Sequence, residues 1–180
     1  MLFEDTKRFM GAFGDSSRET AELVEKAVLK VREASLPQKR ITLIDSDNTE
    51  LLCGEDIKRH LFGCSKAFVL LATLGSGVDL LIRRAQVQSM AEAVAIDAAA
   101  SAYLEEYLDK VCAKLAESNL ITTRFSPGYG DYPIEIQSKL LAFAGSDKIG
   151  ISCSGYMMIP TKSVSAIIGI KDEDYEKFNR

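Results

Sequence analysis

Helical and extended patterns share this chain without regular alternation, which predicts the α+β class rather than a parallel α/β sheet. Three observations carry that reading. Two long stretches, 16–34 and 89–117, place apolar residues at helical spacing. A continuous apolar run, Ala67 to Thr73, has the length and composition of a central strand. Further extended pieces follow near the C-terminus, around 149–152 and 163–170, with no helix between them to form a βαβ unit.

Ser16 or Ser17 can cap the first helix, with Glu19 or Thr20 in its first turn; Leu23, Ala27, Val31 and Ala34 form its stripe, and Pro37 blocks continuation. Ile41 to Ile44 reads as a short strand and Asp45-Ser-Asp-Asn48 as a turn. Glu55 to Leu61 reads as a short helix ended by Gly63. Gly75-Ser-Gly77 breaks the chain after the Ala67–Thr73 strand. Helix resumes over 78–85 and then over the alanine-rich 89–117, whose stripe continues through Leu104, Leu108, Val111 and Leu115. Glu106 and Lys110 are spaced as an i,i+4 pair. Leu120 to Phe125 reads as a strand running into the turn Ser126-Pro-Gly-Tyr-Gly-Asp131. Asp131 can cap a further helix with Pro133 in its first turn, carrying Ile136, Leu140 and Leu141. The acidic tail after Asp172 is a helical turn or disordered.

Composition limits the function. The 180 residues suit one domain, with 47% apolar and 27% charged residues, and no segment approaches the roughly 20 apolar residues of a membrane span. Glu4, Asp5, Lys7 and Arg8 stand where a signal peptide needs its apolar stretch, so the expected location is cytoplasmic. The net charge of −4 comes with scattered Lys and Arg, and the densest cluster is Lys39-Arg40, which argues against nucleic acid as a partner. Cys53, Cys64, Cys112 and Cys153 form no C-x-x-C motif and are expected to be reduced and mostly buried.

Several chemistries drop out. There is no G-x-G-x-x-G after a strand and no Walker A sequence. Gly75-Ser-Gly77 and Gly128-Tyr-Gly130 read as turns. His60, the only histidine, precludes a multi-histidine metal site and a triad, and is expected on the surface of its helix. Glu105, Glu106 and Asp109 read as a solvated helix face. No metal-ligating set and no catalytic acid, base or nucleophile is expected.

Arg124-Phe-Ser-Pro-Gly-Tyr-Gly-Asp-Tyr-Pro133 is different. One arginine precedes a rigid Pro-Gly turn, and two tyrosines follow it. The guanidinium offers a planar fork to a carboxylate, exposed turn backbone can read a ring such as adenine, and tyrosine can stack or donate. Two readings stand: a pocket for a small anionic or zwitterionic ligand, or an arginine that fixes a tight turn.

Arg124, Gly128, Tyr129 and Pro133, spaced R-x-x-x-G-Y-x-x-x-P, resemble the signature of the activation (reactivation) domain of cobalamin-dependent methionine synthase. Tyr156-Met-Met-Ile-Pro160 followed by Lys162-Ser-Val-Ser165 is similar to that family's Met-x-Pro-x-x-Ser-Val-Ser element, and Leu71 to Asp79 with the long helix after it is similar in order and length. The likeness covers roughly residues 62–170, leaving an N-terminal helical and strand portion, 1–61, and a tail, 171–180.

The resemblance implies a twisted, mainly antiparallel sheet flanked by helices. It implies a stand-alone protein that binds S-adenosylmethionine and supports reductive methylation of cobalamin on a separate methionine synthase subunit, with a reductant such as flavodoxin acting indirectly. By position, Arg124 would contact the methionine moiety, and the loop backbone of Phe125 and Ser126, with Gly128 and Tyr129, would hold the rest, with Tyr175 as the tyrosine beyond the Ser-Val-Ser strand. The family's helical acidic contact aligns with Ser101, and Glu105 lies one turn further on. The family's cobalt-ligating Asp-x-His-x-x-Gly is not met: Lys58-Arg-His60-Leu-Phe-Gly63 has lysine in place of the aspartate, so the corrinoid is expected on a partner. Two other expectations compete: an activator of another corrinoid methyltransferase, and a non-catalytic interaction module that has lost the ligand.

Overall fold

A computed structural model describes residues 2–12, 14–15 and 17–172. The chain divides into two compact units interleaved along the sequence: one from residues up to 38, 73–110 and 160–163, the other from 39–72, 111–159 and 164 onward. Helix and strand are mixed, with a mostly antiparallel sheet and flanking helices, which is the α+β class expected.

The first unit is helical. Helix α1 spans Leu2–Phe9 and was not foreseen in the sequence. Helix α2, Arg18–Ala34, starts where Ser17 accepts the Thr20 N–H on its hydroxyl, so Ser17 is the cap. Its buried stripe is Val24, Ala27 and Val31, and half-buried Leu23 lies at its edge. Helix α4, Ser76–Gln88, begins at Ser76 rather than after Gly77, and α5, Met90–Ala116, follows an extended Ser89. Gly77 therefore lies in the first turn of α4, and any side chain there would run into the Ala34 carbonyl at the end of α2. Glycine is what permits this approach.

The second unit holds a three-stranded sheet in the order β1 (Gln38–Asp45), β2 (Cys64–Thr73), β5 (Ser163–Lys171). The apolar run expected in the middle of the sheet is there, and residues 67–72 are all buried. Ala67, Val69 and Leu71 pack with Ile57 and Leu61, near α3 (Glu55–His60), and with Leu140, Leu141 and Ala144 of α6 (Gln137–Ala144) in one core. A two-stranded hairpin, β3 (Ser152–Ser154) and β4 (Met157–Ile159), turns at Gly155; β4 was not anticipated.

Three local expectations are corrected. Leu120–Phe125 is not a continuous strand. It meets β5 at two antiparallel bridges, Ile121 to Ile170 and Phe125 to Ile167, so four steps on one side face three on the other. The extra residue interrupts the ladder, and the Thr122 hydroxyl accepts the Gly169 N–H at 2.8 Å. Asp131 does not cap the helix after it; a 3-10 turn, Ile134–Ile136, leads into α6 instead. Another 3-10 turn, Ser146–Ile149, occupies the start of the extended piece expected at 149–152.

Candidate functional site

The residues singled out by the Arg124–Pro133 motif form a tightly tied loop in the second unit. The Tyr129 N–H donates to the Ser126 carbonyl at 3.2 Å, with Pro127 and Gly128 (φ 93°) as the central residues. That is the geometry a Pro-Gly pair is suited to, because the third turn position needs positive φ. The Tyr132 N–H donates to Tyr129 at 3.0 Å, and the Gly128 N–H to Tyr132 at 2.8 Å. Phe125 exchanges both backbone bonds with Ile167, at 2.9 and 2.7 Å, so its ring, rather than its peptide, is what it offers a ligand.

Asp131 fixes the far end of the loop. Its carboxylate accepts the Glu55 N–H at 2.7 Å and the Asp56 N–H at 2.9 Å, while Asp56 accepts the Asp131 N–H at 3.1 Å. These two N–H groups hold the Asp131 carboxyl below the ordinary carboxylate range. Gly54 (φ 121°) leaves room for the clamp: a Cβ there would stand 2.8 Å from the Asp131 carboxylate. The sequence marked Gly130-Asp131 as a turn and Glu55-Asp56 as a helix start, but nothing in it couples residues 75 positions apart.

Aromatic rings line the loop. Phe125 lies 4.9 Å from the His60 ring, 6.1 Å from Tyr129 and 6.2 Å from Tyr132. Tyr132 is buried, donates to the Leu51 carbonyl at 2.9 Å, and has its hydroxyl pushed well above the ordinary phenol range by burial. Tyr129 is 63% exposed, which leaves its ring face open for stacking. His60 is half-buried rather than on the surface: Nε2 lies 2.8 Å from the Thr122 hydroxyl and 3.0 Å from the Thr123 carbonyl. Burial lowers its affinity for a proton, opposed by the Thr123 bond. Thiol burial is also less than expected, since only Cys64 is buried and the other three are intermediate.

The structure brings Arg124, Phe125, Ser126, Gly128 and Tyr129 onto this one loop. Arg124 is half-buried and its guanidinium donates to Cys112 Sγ on α5 at 3.8 Å. Tyr175 lies outside the described residues. Ser101, at the position of the resembled family's helical acid, donates to the Asp97 carbonyl at 3.1 Å and accepts from Lys162 at 2.9 Å. Glu105 is half-buried one turn along the same helix. In the Ser-Val-Ser element, the Ser163 hydroxyl donates to the Pro160 carbonyl and lies 2.8 Å from the Thr73 hydroxyl, and Ser165 donates to the Gln137 side chain, all buried, so both serines are engaged within the protein. Among the described residues, no three His, Cys, Asp or Glu side chains gather as a metal site, and no helix is long and apolar enough to cross a membrane.

Comparison of the chain with protein-family models returns no match, and comparison with curated proteins returns none.

Proposed function

We propose that this chain binds S-adenosylmethionine on the Arg124–Tyr129 loop and serves as a cytoplasmic accessory protein that supports reductive methylation of cobalamin on a separate methionine synthase subunit. The observation that carries the reading is the loop itself. The R-x-x-x-G-Y residues occupy a turn tied by three backbone bonds, with the exposed Tyr129 ring beside Phe125. A prearranged loop binds without first losing conformational entropy. Arg124 would take the ligand's carboxylate and the aromatic residues its ring system. The α+β fold with its mostly antiparallel sheet supports the same reading.

The reaction asks little of side chains. Bound S-adenosylmethionine would supply a methyl group already activated by its sulfonium for reduced cobalamin on the partner, so no general base would be asked of this chain. This chain's residues would bind the ligand and aim its methyl group, an effective-concentration contribution.

Titration calorimetry with S-adenosylmethionine tests the binding. Arg124→Ala is expected to cost about 1.5–3 kcal/mol of affinity, as when a charged hydrogen-bond partner is lost. A wild type that shows neither heat nor thermal shift at millimolar ligand would sink the proposal. Mixing the protein with ligand, a reductant and a cobalamin subunit should accelerate methylcobalamin formation, followed by absorbance. Equal rates without the chain would remove the reactivation role. Rates raised for another corrinoid methyltransferase, and not for methionine synthase, would reassign the partner.

One observation favours the interaction-module reading. Ser101 stands where the resembled family has an acid, and it is engaged by Lys162. A chain that binds no S-adenosylmethionine but still associates with a corrinoid protein would fit that reading.

A further inference from the structure

The first unit carries a groove along the seam of α4 and α5 that the reading above does not use. Its polar end, about 320 Å³, is lined by Asp79, Arg83, Gln86, Asp97, Thr161 and Lys162. An adjoining apolar end of about 230 Å³ is lined by Phe9, Met90, Ala93, Val94 and Ala98. Ile82, Gln86 and Asp97 border both, so the two ends form one continuous surface.

The polar end has a definite charge layout. Asp79 is committed to the Thr161 segment: it accepts the Thr161 N–H at 3.0 Å and the hydroxyl at 2.6 Å. Lys162, with a side chain only 14% exposed, binds Asp97 at 2.9 Å and Ser101 at 2.9 Å. The Asp97 side chain remains 56% exposed, so the carboxylate still faces solvent. Exposed Arg83 has no ion-pair partner among the described residues. The groove thus presents an uncommitted guanidinium and a half-open carboxylate, and its four charged groups sum to zero. A pure anion would meet Asp79 and Asp97 as well as Arg83, and a pure cation would meet Arg83 and Lys162. A zwitterion suits both groups, with its carboxylate on the Arg83 fork and its ammonium on Asp97. The apolar end starts at Asp97 and exposes Phe9, Met90 and Val94, as an aliphatic side chain requires.

We propose that this groove binds a free α-amino acid with an apolar side chain. The inference stands independently of S-adenosylmethionine binding on the Arg124 loop. Calorimetry of the full chain with L-norleucine, hexanoate and hexylamine tests it, since the last two each lack one charge of the zwitterion. Norleucine should bind at millimolar or tighter concentration, and each single-charge analogue about tenfold or more weaker. Arg83→Gln and Val94→Asp should each weaken norleucine about tenfold while the melting temperature stays near wild type, because both side chains are exposed. Arg124→Ala should bind norleucine as wild type does, which separates this site from the loop. Absence of norleucine binding at about 10 mM, hexanoate or hexylamine binding as tightly as norleucine, or unchanged affinity in Arg83→Gln would each overturn the proposal.

Discussion

The Ser126–Tyr132 loop and the Pro160–Ser163 segment, one in each unit, are held in place by different physics. The loop is closed by its own backbone: three short-range backbone hydrogen bonds, a proline and glycines at positive φ. Its distant ties also use backbone groups: Asp131 accepts the Glu55 and Asp56 N–H groups, and Tyr132 donates to the Leu51 carbonyl. The Pro160–Ser163 segment is held mainly by side chains: Asp79 on Thr161, Asp97 and Ser101 on Lys162, Thr73 on Ser163. Backbone closure resists salt and needs particular residues only where φ is positive or space is short. Side-chain closure works with ordinary backbone but depends on charge and ionic strength.

The largest expected effect tests the floor beneath the loop. Tyr132 fills the second unit's core and ties it to Leu51, so Tyr132→Ala should cost about 3–5 kcal/mol in denaturant unfolding. A cost within about 1 kcal/mol would show that the ring is not part of the core. Next, Gly130→Ala adds a methyl group against the Asp56 carboxylate at a residue with φ 54°. About 2 kcal/mol of destabilisation is expected from positive-φ strain and the lost clamp, and it should not vary with salt. Lys162→Met should cost less, about 1 kcal/mol for a partly buried pair with one exposed partner. Unlike the glycine variant, its deficit should shrink as ionic strength rises. A salt-independent deficit would remove the contrast between the two regions.

The subtlest test is pH. Asp131 has its carboxyl held below the unfolded value, so the clamp's contribution is complete above about pH 4 and is lost as pH falls through the folded value. Wild type should therefore melt above Asp131→Asn at neutral pH, and the gap should close in acid, where the wild-type side chain is also neutral. A gap that does not narrow at all between neutral pH and about pH 2, below the ordinary carboxylate value, would show that charge is irrelevant to the clamp.

Sequence periodicity located the long helices and the middle strand because each depends on neighbours three or four residues away, or on one continuous apolar run. Ser17 was readable as a cap for the same reason. Phe125 was misread as the end of a regular strand because the bulge against β5 comes from residues more than 40 positions away. His60 was expected on the surface because its short helix looks polar, but the Phe125 ring and the Thr122 hydroxyl half-bury it.

By itself the sequence determined the α+β mixture, the apolar strand at the middle of the sheet and the Pro-Gly turn after Arg124, since each follows from local dihedral preference or from burial of a continuous apolar segment. Only the tertiary structure decided that Asp131 caps α3, that Ser101 answers to Lys162, and that α4 and α5 leave a groove with Arg83 at one end. Those outcomes join groups tens of residues apart, and they depend on distances that no local pattern of residue types encodes.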